Sequence, residues 1–450
     1  MNTALDLIVL GTGSAAQTVA HTCRTAGWSV AVIDSRPFGG TCQLRGCDPK
    51  KVLVGVAELV DWSRRMQQKG VSAPGLALSW PDLMRFKSTF TDPAPKSTEE
   101  GFDKAGITSI HGRAHFVDRT TLQVAERTLS SRHVVIATGA RHAPLGIPGA
   151  ELLTTSSQFL ELAALPRRVA FVGGGYIAFE FAHIAAHAGA QVQVLHRGAR
   201  PLEKFDPDLV AQVVQGTRDL GVDVRLNAIV EAVERRGAEF IVQVRSGEST
   251  HTVAADLVVH AAGRVPEIDD LDLERAGVTH VKAGVTVNEY LQSVSNPAVY
   301  AAGDAVASGG FPLTPVAGMQ GGIVASNLLD GNQRTPNYEG IPSVLFTTPP
   351  LAMVGLTEAI ANEQGLRFTV KRGETSGWYS SRRVALLHTG FKVLVEKDTN
   401  RVLGAHLLGG HAEEVINIFA LAIRAGLSAV DLKDMVYAYP TASSDIGYMV

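Results

Sequence analysis

A strand, a glycine-rich turn and a helix recur twice in this chain, and that repetition limits the folds open to it more than any other feature. Leu7-Ile8-Val9-Leu10 runs into Gly11-Thr12-Gly13-Ser14-Ala15-Ala16, a helix-like stretch continues to Gly27, and Ser29-Val30-Ala31-Val32-Ile33-Asp34 reads as a second strand. Arg168-Val169-Ala170-Phe171-Val172 meets Gly173-Gly174-Gly175-Tyr176-Ile177-Ala178 in the same way, with a helix to Gly189 and a strand from Gln191 to Leu195. Each is a βαβ unit carrying a G-x-G-x-x-A dinucleotide fingerprint. Glycines at those places let backbone N–H groups approach a diphosphate, and the helix N-terminus favours its charge.

The two units differ at the end of their second strand. Asp34 ends the first, where a carboxylate can hydrogen-bond a ribose hydroxyl. Aligned through Gly27 and Gly189, the second unit has His196 in that place, followed by Arg197 and Arg200. Cations there suit a 2′-phosphate better than a free hydroxyl, so NADPH is the expected nucleotide, with NADH as the alternative and a solvated basic loop as the plainer reading. Two sites in one chain imply a resident dinucleotide, expected to be FAD, that receives hydride from a diffusible one.

At 450 residues with 45% apolar content, the chain exceeds what one hydrophobic core supports, and roughly three domains are expected. A formal net charge of -3, from 41 basic and 44 acidic residues, leaves no footprint for nucleic acid or an anionic membrane. No apolar window approaches about 18 residues, and the start lacks a secretory pattern, so a cytoplasmic location is expected. Between the fingerprints, Gly106 to Ala140 reads as a small antiparallel meander closing on Val134-Val135-Ile136 before Ala137-Thr138-Gly139. From Ile341 onward, strands and an amphipathic helix, Glu413 to Ala425, form a separate α+β block without a fingerprint.

Of three cysteines, Cys42 and Cys47 lie in Gly39-Gly40-Thr41-Cys42-Gln43-Leu44-Arg45-Gly46-Cys47-Asp48-Pro49-Lys50-Lys51, directly after the first unit. No second Cys or Cys/His pair follows at ligand spacing, so a metal site is disfavoured. A structural disulfide closing so short a loop gains little in a reducing compartment. A redox-active pair remains, with Lys50 and Lys51 near enough to stabilise a thiolate or else simply solvated. Cys23 reads as a small buried residue.

These motifs, with Ala137-Thr138-Gly139, Gly175-Tyr176-Ile177-Ala178-Phe179-Glu180, Ala262-Gly263-Arg264-Val265-Pro266, Tyr300-Ala301-Ala302-Gly303-Asp304 and Leu313-Thr314-Pro315-Val316-Ala317, resemble the class I pyridine nucleotide-disulfide oxidoreductases. That is the family of glutathione reductase, dihydrolipoamide dehydrogenase and mercuric reductase, and the resemblance covers essentially the whole chain. It implies an α/β fold with two Rossmann-like domains and a C-terminal α+β dimerisation domain. The implied boundaries are 1–145 with 266–336 for FAD, 146–265 for NAD(P)H and 337–450 for a homodimer interface.

The resemblance also implies roles. Cys47 would face the flavin as a charge-transfer thiolate and Cys42 would attack the substrate. Lys51 would lie near flavin N5 and pair with Glu180, with Lys50 in place of the family's usual small hydroxyl residue, and Tyr176 would cover the flavin until nicotinamide displaces it. Asp304 would hold the ribityl chain and Ala114 the adenine, and the helix begun by Thr314 would support charge on the reduced ring. The remaining expected cofactor contacts are Gly11, Gly13, Ser14, Ala15, Asp34, Ser35, Gly40, Thr41, Thr138, Gly139 and Ala317. Gly173, Gly175, Ile177, Arg197, Arg200 and Gly263 complete the set.

Departures from the family bear on the acceptor. The usual C-terminal His-Pro-Thr and its Glu become Tyr439-Pro440-Thr441 and Ser444, which removes the proton-relaying dyad. Tyr439 can donate a proton but is a poor base, with Asp445 as a candidate to orient it and Tyr437 and Tyr448 as neighbouring alternatives. Gly321-Gly322 stands where glutathione reductases carry an arginine, and Arg45 and Asp48 are expected to rim the substrate entrance. No cysteine follows Cys47, against the C-terminal pair of mercuric reductases. The expected activity is transfer from NAD(P)H through FAD and the Cys42–Cys47 pair to a small disulfide-type acceptor. The alternatives are a flavin reductase of quinones, metals or oxygen, and a non-enzymatic redox-sensing flavoprotein.

Overall fold

The apolar run Leu5–Leu10 becomes the centre of a seven-stranded sheet, as a strand buried on both faces should. It pairs in parallel with Val30–Asp34 on one side (Leu7 opposite Val30) and with Arg127–Ile136 on the other (Leu10 opposite Ile136). Thr108–His111 and Val299–Ala301 extend the parallel part. The computed structural model describes residues 5–450 and divides them into two units. The first holds the chain up to Lys50, Arg85–Ala143 and Gly263–Asn337.

The expected meander lies in this unit, with one difference. Ala114–Asp118, Thr121–Val124 and the start of Arg127–Ile136 are antiparallel, but Thr108–His111 joins the parallel strands beside Val30–Asp34. Arg127–Ile136 serves both parts because at ten residues it is long enough to pair with a hairpin neighbour first and with Leu5–Leu10 afterwards.

Helix Ser14–Thr25 buries Ala15, Ala16, Val19, Ala20 and Cys23. Its small residues admit helix Thr314–Asp330 at close range, and a β-carbon on Gly321 would stand 2.7 Å from the Ala15 carbonyl oxygen. A β-carbon on Gly322 would meet nothing within 4 Å. Gly321→Ala should therefore cost about 1–3 kcal/mol by overpacking, whereas Gly322→Ala should be neutral or stabilise by up to about 1 kcal/mol. Paired denaturant melts of the two variants check this.

The second unit, Lys51–Met84, Pro144–Ala262 and Tyr338–Val450, contains a four-stranded parallel sheet ordered Asp223–Arg225, Gln191–Leu195, Arg168–Val172, Leu257–His260. A three-stranded antiparallel meander runs through Ile229–Arg236, Glu239–Ser246 and Ser249–Ala255. Ser343–Leu345, Leu351–Gly355, Val402–Leu408, Gly390–Glu396 and Phe368–Glu374 make a five-stranded antiparallel sheet covered by helix Ala412–Ala425. Leu345, Leu351, Met353 and Leu408 share one core with Phe171, Phe179 and Val194.

Helix Tyr176–His187 is apolar nearly all round and is accordingly buried. Its two histidines are buried with it. His183 bonds Thr348 and Thr217, His187 bonds Thr348, and burial lowers them to about 3 and about 4, so both stay neutral.

Candidate active site

In the first unit the expected cofactor residues gather at the carboxyl ends of the parallel strands, where ligands of open α/β sheets bind. Gly11 and Gly13 follow Leu5–Leu10, Asp34 ends Val30–Asp34, Thr138 and Gly139 follow Arg127–Ile136, and Asp304 follows Val299–Ala301. Gly11, at φ +105°, has room for no side chain, since a β-carbon would lie 2.4 Å from the Ala137 carbonyl oxygen. Gly40 is equally confined, its β-carbon position falling 2.5 Å from Gly13 Cα. That contact lays the cysteine segment directly on the fingerprint turn. Thr12 joins them chemically, donating to Asp34 (2.7 Å) and accepting from the Gly39 N–H (3.2 Å). Asp34 also accepts the Arg36 N–H at 3.0 Å, so about two of a carboxylate's four acceptor positions are used.

Thr138 Oγ1 is buried without a hydrogen-bond partner, an unsatisfied group of the kind a bound molecule completes. Burial raises the Asp304 carboxyl above its ordinary range, with Arg264 opposing. Ser14, Ala15, Thr41, Ala114, Thr314 and Ala317 belong to this unit, as do Ser35, which is exposed, and Gly263.

The cysteines occupy two helices separated by a break. Cys42 lies in Gly40–Arg45 and Cys47 opens Cys47–Arg65, with Gly46 between them, where a β-carbon would come within 2.9 Å of the Thr41 carbonyl oxygen. Both are free thiols. The hydrogen bond from the Cys42 thiol, then the Thr314 hydroxyl at 3.4 Å and the charge of Lys50, outweigh burial and Asp48 and bring Cys47 down to about 6. The bond it gives to Cys47, and then burial, push Cys42 upward. The two shifts run in opposite directions, which favours negative charge on the Cys47 sulfur over the Cys42 sulfur.

Thr314→Val should move the Cys47 midpoint upward from about 6, seen as a rightward shift in the pH dependence of iodoacetamide alkylation of the reduced protein.

Arg45 departs from the expected substrate rim. Its Nε is buried and unpartnered, and its guanidinium lies among Arg36, Asp34, Glu267 and Arg264. Burial and the neighbouring arginines lower its proton affinity. Asp48 does reach the cysteine rim: it accepts from Cys42 Sγ at 3.7 Å.

In the second unit, Gly173 turns at φ +130° against the Ala261 carbonyl, and the His196 ring closes over Gly174 and Gly198. His196 Nε2 donates to the Arg200 carbonyl at 2.9 Å, and the Arg200 guanidinium donates to the Glu203 carbonyl at 3.2 Å. Arg197 is exposed and its guanidinium makes no hydrogen bond or ion pair among the described residues. Of the basic trio, Arg197 alone is unengaged. Gly175 and Ile177 flank Tyr176, whose hydroxyl bonds Ser343 and whose ring lies 5.3 Å from that of Phe205.

Glu180 is buried and accepts the Phe346 N–H at 2.9 Å. Lys51 was expected to pair with Glu180 but meets Glu58 at 3.4 Å, and its ammonium stands 4.4 Å over the Phe346 ring. The spacing explains the change, because Glu58 lies two helical turns after Lys51 on the same face of Cys47–Arg65. Burial raises the Glu58 carboxyl while Lys51 opposes.

The C-terminal segment offers no ready-made dyad. Tyr439 is 81% exposed, Asp445 accepts from Ser380 and not from Tyr439, and Ser444 forms a capping pair with Thr441. The Tyr437 hydroxyl is spent on the Leu432 carbonyl at 2.8 Å, and Tyr448 packs edge-on to Trp378.

The sequence and fold have clear relatives. Residues 5–321 match the pyridine nucleotide-disulphide oxidoreductase model and residues 341–450 match the dimerisation domain of the same family. The chain is 31% identical to a glutathione reductase of Nostoc sp., covering 98% of both. It is 32% identical to a mercuric reductase of Staphylococcus aureus, covering 98% of this chain and 81% of that one. Its fold superimposes with a TM-score of 0.88 and 28% identity on a Cu(II) complex of the HOCl-induced flavoprotein disulfide reductase RclA from Escherichia coli, over 99% of each chain. No helix among the described residues is long and apolar enough to cross a membrane.

Proposed function

This chain belongs to the class I pyridine nucleotide-disulphide oxidoreductases, and we propose that within them it uses NADPH to reduce a low-molecular-weight disulfide, with Cys42 attacking and Cys47 holding the thiolate. Members of the family are enzymes that bind FAD and a pyridine nucleotide, and the matched dimerisation domain fits a homodimer. The observation that carries the reading is the asymmetry of the pair: Cys47 drawn down to about 6 and Cys42 pushed up.

The first unit's residues fit FAD. Gly11 and Gly40 let the fingerprint turn and the cysteine segment pack backbone against backbone, Thr138 Oγ1 awaits a partner, and Asp304 offers a desolvated carboxyl. FAD bound there would accept hydride and pass two electrons onward. The protein's own part is to hold the diphosphate on the Gly11–Gly13 turn and to keep the Cys47 sulfur ionised through Thr314 and Lys50.

Arg197 supports NADPH over NADH because its fork is unengaged and suits a phosphate. Arg197→Ala should lower kcat/KM for NADPH about tenfold to a hundredfold and leave NADH within about threefold. An equal loss on both nucleotides would overturn the preference. The Cu(II) complex of RclA favours a second reading, reduction of an oxidised metal ion. Steady-state rates with an alkyl disulfide and with Cu(II) decide between them: disulfide turnover abolished by Cys42→Ser supports the first, and turnover of Cu(II) alone supports the second.

A further inference from the structure

The geometry points to Asp48 as the proton relay for the first thiol leaving group, the role left open by the missing C-terminal dyad. This deepens the disulfide reading above and rests on it. Cys42 Sγ lies 3.7 Å from Asp48 Oδ1, and the same sulfur also faces Cys47. Asp48 sits in the first turn of Cys47–Arg65 and reaches back across the break at Gly46 to the last turn of Gly40–Arg45. The sulfur that must attack therefore lies within reach of a carboxylate, and that carboxylate is exposed.

In the reduced enzyme Cys42 is a thiol and Cys47 a thiolate. As the Cys42 sulfur attacks an alkyl disulfide, its proton passes to the Asp48 carboxylate, a bond forms between Cys42 and one substrate sulfur, and the substrate S–S bond breaks. The departing alkyl thiolate takes the proton back from Asp48 and leaves as a thiol. Cys47 thiolate then attacks the Cys42 sulfur, restoring the protein disulfide and releasing the second thiolate, which is protonated from solvent. One disulfide is reduced and one formed. A carboxylate is a weak base toward a thiol, so Asp48 helps chiefly by returning the proton to a basic leaving group.

That dependence on the leaving group supplies the test. An alkyl thiolate needs a proton to depart well, whereas the thiolate of dithiobis-nitrobenzoate leaves without one. For the holoenzyme with NADPH, Asp48→Asn should lower kcat/KM for hydroxyethyl disulfide about a hundredfold while lowering that for dithiobis-nitrobenzoate far less. Asp48→Glu, which keeps a carboxylate on a longer arm, should recover part of the alkyl rate and guards against a folding defect in the amide.

If Asp48 acted only through its charge, its removal would ease ionisation of Cys42 and speed both substrates. If it were only a helix-capping residue, both would fall alike. Either result overturns the assignment. A wild-type enzyme that reduced neither disulfide would instead sink the disulfide reading beneath it.

Discussion

Cys47→Ser should lower disulfide turnover by about a thousandfold or more, while NADPH still bleaches the flavin. The serine cannot carry the negative charge that the Cys42 bond, Thr314 and Lys50 stabilise on sulfur, and no protein disulfide can close behind Cys42. Once a substrate has added to Cys42, nothing in the variant resolves the mixed disulfide, so a trapped adduct should appear as a mass increase on the intact protein. Cys42→Ser should lose the same activity without forming an adduct. Comparable loss of NADPH oxidation with a quinone as acceptor would mean that the flavin site had been damaged, against the account.

The second large effect concerns stability. Lys392, with 3% of its side chain exposed, lies 2.7 Å from Asp206, 2.7 Å from Asp208 and 3.4 Å from Glu358. Asp206 is wholly buried and caps helix Pro207–Asp219 through the Asp208 and Leu209 N–H groups. Burial alone would lower Lys392, but the bonds it donates to Asp206 and Asp208 outweigh burial and raise it; the bond from Lys392 is likewise the main cause of the low Asp208 value. Lys392→Ala strands those carboxylates and should cost about 3–5 kcal/mol.

The signs set a pH window for that cost. A raised lysine contributes fully below its unfolded pKa and loses the contribution as pH rises through the folded one. A lowered aspartate contributes fully above its unfolded pKa and loses it as pH falls through the folded one. The difference between wild type and variant in urea melts should therefore be greatest at neutral pH and shrink in strong acid and strong base. A difference flat across pH would show that Lys392 acts by packing alone.

These two sites also show what could be read from the chain. The fingerprints were legible because close backbone approach admits only glycine, and the first glycine of each, Gly11 and Gly173, lies where a side chain would collide. The cysteine pair was legible by spacing. The partners of the pair were not: Thr314 is far along the chain, and Asp48 meets Cys42 only because Gly46 breaks the helix between them.

Arg45 misled for an ordinary reason, since a charged residue in a polar loop is expected to face water. Lys51 took Glu58 in place of Glu180 because a neighbour on the same helix face needs no tertiary placement. The Lys392 cluster joins residues 206, 208, 358 and 392, and no local pattern marks it.

The central claim is that electrons leave the flavin through Cys42 and Cys47. Its most direct test is anaerobic addition of one equivalent of NADPH to the oxidised protein, followed by iodoacetamide and peptide mass spectrometry. The account predicts that Cys42 and Cys47 gain label only after NADPH, with Cys23, buried and pushed up to about 12, unlabelled throughout. Flavin bleaching with no new label on either cysteine would contradict it.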